Sequence, residues 1–310
     1  MILLSAGASA QSLRIDRSYL SHLKMQAASE KDERNRCRWF NLIAEEYIKS
    51  YTIDSSKHYS YMSLKLASVK GWSSEEAAAL KNLVKANRAN QFNSEYLTTR
   101  RESFESINRA IELYTKLGDK RNLAECYFLY GTYFKFHAKY DQVFEYNAKA
   151  REIYSSLHDS AGTAMCLGYL GGLYHATGKP DSARICFESS MKVFEALRDT
   201  DQLTYILQGF SYLKTDEKKP AEALALMERA AGFAEGSENL FMIADIYNDY
   251  AASLIAAGRN DEAITKLNKA HAIALRFGAQ RLLAIICGNL SAALMNKGDY
   301  RQSAMYKDSV

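Results

Sequence analysis

Leu129-Tyr130-Gly131, Tyr140, Ala148, Ala150, Tyr154, Leu157 and Asp159 form one block of a pattern within residues 124–190. Leu170-Gly171, Tyr174, Gly178, Ala183, Phe187, Phe194, Leu197 and Asp199 form the next. Gly131 and Gly171, Tyr154 and Phe194, and Asp159 and Asp199 are each 40 positions apart. A fixed period of this size marks a stacked array in which each unit is one supersecondary element buried by its neighbours.

The register extends in both directions. Ala110, Tyr114, Leu117 and Asp119 precede Ala150, Tyr154, Leu157 and Asp159 by one period, and Ala183 is followed by Ala223, Ala263 and Ser303. Gly178 is followed by Lys218, Gly258 and Gly298, and Ala124 by Ala164, Thr204, Ala244 and Ala284. Each block holds two helices, A and B, with a turn between them and another after B. Small residues on helix B let helices approach closely. Glycine at the end of helix A suits a left-handed turn. Pro180 and Pro220 follow that turn, where proline opens a helix without losing a paired N–H. Large aromatics such as Tyr174 and Phe187 are expected to fill the space between helices.

This order of small, glycine and aromatic residues resembles the tetratricopeptide repeat, here at 40 residues rather than the usual ~34. The resemblance covers residues 95–310, about five and a half units. It implies an all-α fold, a right-handed α-solenoid of antiparallel helix pairs. The family's tryptophan is absent from helix A, where Tyr127, Leu167, Leu207, Tyr247 and Cys287 stand. Leu-Gly-Asp or Leu-His-Asp turns replace its proline after helix B. The third unit is degenerate, with Ser211 and Lys214 in place of Gly and Tyr, and weaker local packing is expected there.

Residues 12–94 read as an irregular helical N-terminal region. Trp39, Phe40, Leu42, Ile43, Tyr47 and Ile48 have helical spacing, and Ser73 or Ser74 with Glu75 and Glu76 begins a further helix. Residues 1–11 end in Ala8-Ser9-Ala10 and read as the back half of a signal peptide. Such a remnant implies a periplasmic or exported protein, and a retained N-terminus a cytoplasmic one. The last helix B is cut at Val310 without a polar cap, so a membrane-anchored or output domain is expected beyond it.

Composition narrows the function. The 310 residues are 47% hydrophobic and 25% charged, with a formal net charge of +4 and no dense Lys/Arg block, which argues against nucleic acid as partner. No run of ~20 apolar residues spans a membrane. Cys37, Cys126, Cys166, Cys186 and Cys287 make no metal-binding spacing and read as small buried hydrophobes. The six histidines are scattered, and no phosphate loop, nucleophile elbow or zinc motif occurs. No enzyme activity, cofactor or metal is expected.

What remains is the concave face lined by the A helices. The family's groove positions, carried onto this register, are Phe128, Thr132, Lys135, His175, Tyr205, Gln208, Tyr212, Asp245, Asn248, Asn289 and Asn296. Amide side chains there can both donate to and accept from a peptide backbone. The expected partner is a protein or peptide, and the array resembles the sensory region of bacterial signalling proteins that carry a histidine kinase or DNA-binding output. The alternatives are a cytoplasmic peptide-receptor regulator and an enzyme with a site in residues 12–94.

Overall fold

A computed structural model describes residues 17–89, 96–135 and 139–307. The signal-peptide reading of residues 1–11, the expected boundary at 94/95 and the chain end at Val310 lie outside the described residues.

Among the described residues the chain forms fifteen helices and no strand. They are α1 (Arg17–Ser29), α2 (Glu33–Lys49), α3 (Ile53–Lys70), α4 (Ser73–Ala89), α5 (Tyr96–Leu117), α6 (Lys120–Lys135), α7 (Tyr140–Ser156) and α8 (Ser160–Ala176). They continue as α9 (Pro180–Leu197), α10 (Thr200–Asp216), α11 (Pro220–Ala234), α12 (Leu240–Ala256), α13 (Asn260–Phe277), α14 (Gln280–Asn296) and α15 (Tyr300–Lys307). From α2 onward each even-numbered helix packs on the odd helix that follows it. Even helices also touch the next even helix, α2 with α4, α4 with α6, α8 with α10 and α12 with α14. The substantial contacts of odd helices run only to even ones. The even helices therefore form the tighter, inner layer of a curved solenoid.

The turns explain the period. Asp119, Asp159, Asp199 and Asn239 stand 40 apart and cap α6, α8, α10 and α12, each accepting from the backbone N–H three residues on at 2.9–3.1 Å. The aspartate of the Leu-Gly-Asp turn is thus an N-cap, which replaces the family's proline as the signal that opens helix A. The end of helix A is left-handed at Gly178, Lys218, Gly258 and Gly298, with φ between +61° and +81°. Lys218 alone carries a Cβ in this set and is exposed. Lys218→Gly is expected to raise the unfolding free energy by about 1 kcal/mol, because relief of left-handed strain outweighs glycine's extra entropy. Equilibrium urea unfolding measures it.

The degenerate third unit departs from expectation. The α10–α11 pair packs as closely as its neighbours. Lys214 buries its stem, holds its ammonium 5.0 Å from the Phe210 ring centre and reaches Glu222 at 2.9 Å and Glu217 at 3.4 Å. A long aliphatic stem fills the aromatic's volume, and the charge escapes at the edge. All five cysteines are free and buried, and burial pushes the thiols of Cys126 and Cys166 up to about 12.

The mode of stacking reaches back to α2. Asn82 donates to the Asn41 carbonyl at 3.0 Å, Lys81 to Asn122 at 2.6 Å and Gln208 to Asp249 at 2.7 Å, all with a separation of 41 residues. One apolar core joins α10–α14 and also contains Tyr51, Ile53 and Ala86. The turn between α2 and α3 therefore touches the array again at α12.

Candidate functional site: the inner face of the even helices

The expected groove residues divide into three groups. Phe128 and Thr132 are buried. The Phe128 ring meets Tyr169 edge-on at 5.3 Å, and the Thr132 hydroxyl donates to the Leu129 carbonyl at 2.7 Å. Phe128 packs between helices, while Thr132 lines a small cleft between α4, α5 and α6 together with Arg88, Arg100 and Ser103. The side chain of Lys135 lies outside the described residues. His175 and Asn296 stand at two helix ends, His175 Nε2 being 2.7 Å from Asp216 and Asn296 donating to Asn260 at 3.3 Å.

The third group is brought together. Gln208 Nε2 on α10 donates to Asp245 at 3.0 Å and to Asp249 at 2.7 Å on α12. The Tyr212 hydroxyl also donates to Asp249. Asn248 donates to the other Asp249 oxygen at 3.2 Å and accepts from Asn289 on α14 at 2.9 Å. Five expected residues thus form a ladder across three inner helices, with Asp249 at its centre. Sequence reading missed Asp249. Two signals pointed to it: it follows Asp245 by four residues, on the same helix face, and follows Gln208 by 41.

Burial and neighbouring charge shift several groups on this face. Tyr205 is 43% exposed, yet burial pushes its hydroxyl up to about 12, with Arg88 opposing and Asp245 adding. Burial and the neighbouring Asp249 carboxylate hold Asp245 well above the usual carboxylate range, against the Gln208 amide. Neither Asp245 nor Asp249 has an ion pair among the described residues. Tyr212, 45% exposed, is raised by burial and then by Asp249.

Among the described residues there is no group of three or more His, Cys, Asp or Glu able to hold a metal, and no helix is long and apolar enough to cross a membrane.

Residues 138–196 match the tetratricopeptide repeat in sequence. A search of curated proteins finds no match to the chain. Among solved structures, a Rap protein complexed with Competence and Sporulation Factor is similar at 12% identity and a TM-score of 0.62, over 89% of this chain and 75% of that one. The apo quorum sensor NprR from B. thuringiensis is similar at 14% identity and a TM-score of 0.60, over 96% and 81%. The Cut9–Hcn1 structure from the APC/C is similar at 12% identity and a TM-score of 0.59, over 96% of this chain and 53% of that one. At such identities the likeness is one of fold. Residues 138–196 thus match the tetratricopeptide repeat in sequence, and the chain as a whole has the fold of a tetratricopeptide-repeat solenoid.

Proposed function

We propose that this protein is a non-enzymatic scaffold that binds an extended peptide, free or as part of a protein, against the inner face of α8–α14. The observation that carries the reading is the ladder of Gln208, Asp249, Asn248 and Asn289 beside Tyr205 and Tyr212. Amides supply donors and acceptors to a backbone, tyrosines supply contact area at small entropic cost, and rigid helices hold both in place. Charge sets a direction. The positive charge of Arg88 on α4 is felt at Tyr169 and Tyr205, and the negative charge of Asp245 is also felt at Tyr205. A peptide with a basic group near Asp249 and an acidic group or carboxylate near Arg88 fits this field.

Two neighbours of the same fold, described as a quorum sensor and as a Rap protein complexed with a sporulation factor, support a role as the sensing part of a bacterial signalling protein. A fluorescein-labelled, positional-scanning hexapeptide library read by fluorescence polarisation tests this. The parent protein is expected to select a basic residue at one position, and Asp249→Asn to weaken the selected peptide about tenfold or more, with helicity unchanged. No retained peptide, or equal affinity in the variant, would refute the reading. Asn248 makes a poorer test, because it is only 4% exposed and its loss would disturb the stacking of α12 on α14.

A further inference from the structure

Tyr51 occupies the turn after α2, the position at which later inner helices end in Gly178, Lys218, Gly258 and Gly298. Its backbone is left-handed, with φ +56°. A bulky side chain is disfavoured there, and glycine would serve the turn better. Yet this tyrosine is only 8% exposed. Its ring stacks on Phe241, at the start of α12, at 4.3 Å and 13°. Its hydroxyl donates to the carbonyl of Ala89, at the end of α4, at 2.5 Å. Ile53 joins the same apolar core. Tyr51 also feels the charge of Asp245 and lies near Tyr205.

We infer that the α2–α3 turn is a clasp, in which Tyr51 bridges the end of α4 to the start of α12 and closes the inner groove of the solenoid on itself. Tyr51 and Phe241 are 190 apart in sequence, so helix stacking along the array does not by itself bring them together. The clasp stands at the edge of the Gln208–Asp249 ladder, beside Asp245. Its closure restricts entry. An extended peptide with a free end can slide along a closed groove, whereas a loop on a folded partner requires the clasp to open. That restriction rests on the peptide-binding reading above. The clasp itself does not, because it is read without any ligand.

The experiment uses the full chain with Asp54→Cys and Glu238→Cys, two exposed positions flanking the contact, spin-labelled for electron–electron distance measurement. The native cysteines are buried and slow to label. The parent is expected to give one short, narrow distance distribution. Tyr51→Gly removes the ring while relieving the left-handed backbone, so it should keep its fold. It is expected to broaden the distribution and move it outward by about a helical pitch, ~5 Å, or more. Tyr51→Phe retains the stack and should stay closed. A broad distribution in the parent, or an unchanged narrow one in Tyr51→Gly, would overturn the clasp. Failure of the peptide screen would leave these distances unaffected, so the two readings fail separately.

Discussion

Phe187→Ala is expected to lower the unfolding free energy by about 3–5 kcal/mol, the range for truncating a fully buried aromatic. The Phe187 ring on α9 is 2% exposed and stacks on Phe210 at 5.6 Å. It fills a slot made by two missing side chains. A Cβ on Gly171 would sit 2.8 Å from the ring, and one on Gly209 at 3.0 Å. The ring therefore joins α8, α9 and α10 at one point, and its removal leaves a cavity that helices on three sides cannot close. In a linear array the loss falls on one interface, so the urea transition should also lose cooperativity and separate toward two steps. The complementary change, Gly171→Val, should destabilise by overpacking at about 1–3 kcal/mol. A single, unshifted transition in Phe187→Ala would show that the slot carries no such weight.

The second large effect is electrostatic. Lys81 on α4 is 6% exposed and donates to Glu125 and Asn122 on α6, each at 2.6 Å, while Lys85 also pairs with Glu125. Glu125→Leu is expected to cost about 3–5 kcal/mol, because it leaves the buried Lys81 ammonium without its counter-charge. Adding Lys81→Met should recover most of the loss, since an apolar pair of similar volume has no charge to desolvate.

The pH dependence has a definite sign. Burial works to raise the Glu125 carboxyl, but Lys85 and Lys81 outweigh it and hold it down to about 2, against 4.5 when unperturbed. Folding therefore favours the ionised form. The resulting stability, roughly 3 kcal/mol, is complete above the unfolded value and is lost as pH falls toward 2. Urea midpoints of the parent and of Glu125→Gln should converge over that window and differ most at neutral pH.

Much of the architecture was legible because a 40-residue period repeats the same local physics. The turn aspartates cap helices, the small residues let helices meet, and the glycines that end helix A take left-handed backbone. Equivalence in the pattern was not equivalence in packing. Gly131 and Gly171 share a repeat position, but a Cβ on Gly131 would meet only ordinary contacts at 3.6 Å or more, while Gly171 is held to glycine by Phe187. Lys214 broke the pattern and kept the packing, because its stem supplies volume that a residue-type comparison ignores.

The candidate site was partly legible. Gln208, Tyr212, Asp245, Asn248 and Asn289 were placed on the inner face by carrying the resembled family's groove positions onto the register, and they converge. Phe128 and Thr132 were placed by the same rule but turn into helix contacts, since register fixes a face only to within a residue's width. Asp249 lay one helical turn from an expected residue, and only the 41-residue stagger between neighbouring inner helices shows why it is the hub.

By itself, the sequence determined that this chain is an array of helix pairs and where its turns fall; which helices face inward came from the resemblance to the repeat family. The pairs and turns follow from interactions between residues close in the chain or one repeat apart, and periodicity records both. Only the tertiary structure decided that the repeat's stacking mode continues through α2–α4, that two carboxylates share the Gln208 amide with no ion-pair partner among the described residues, and that Tyr51 meets Phe241. Those contacts depend on the accumulated curvature of many units. Curvature is a sum of small rotations between helices, and no single stretch of residues encodes it.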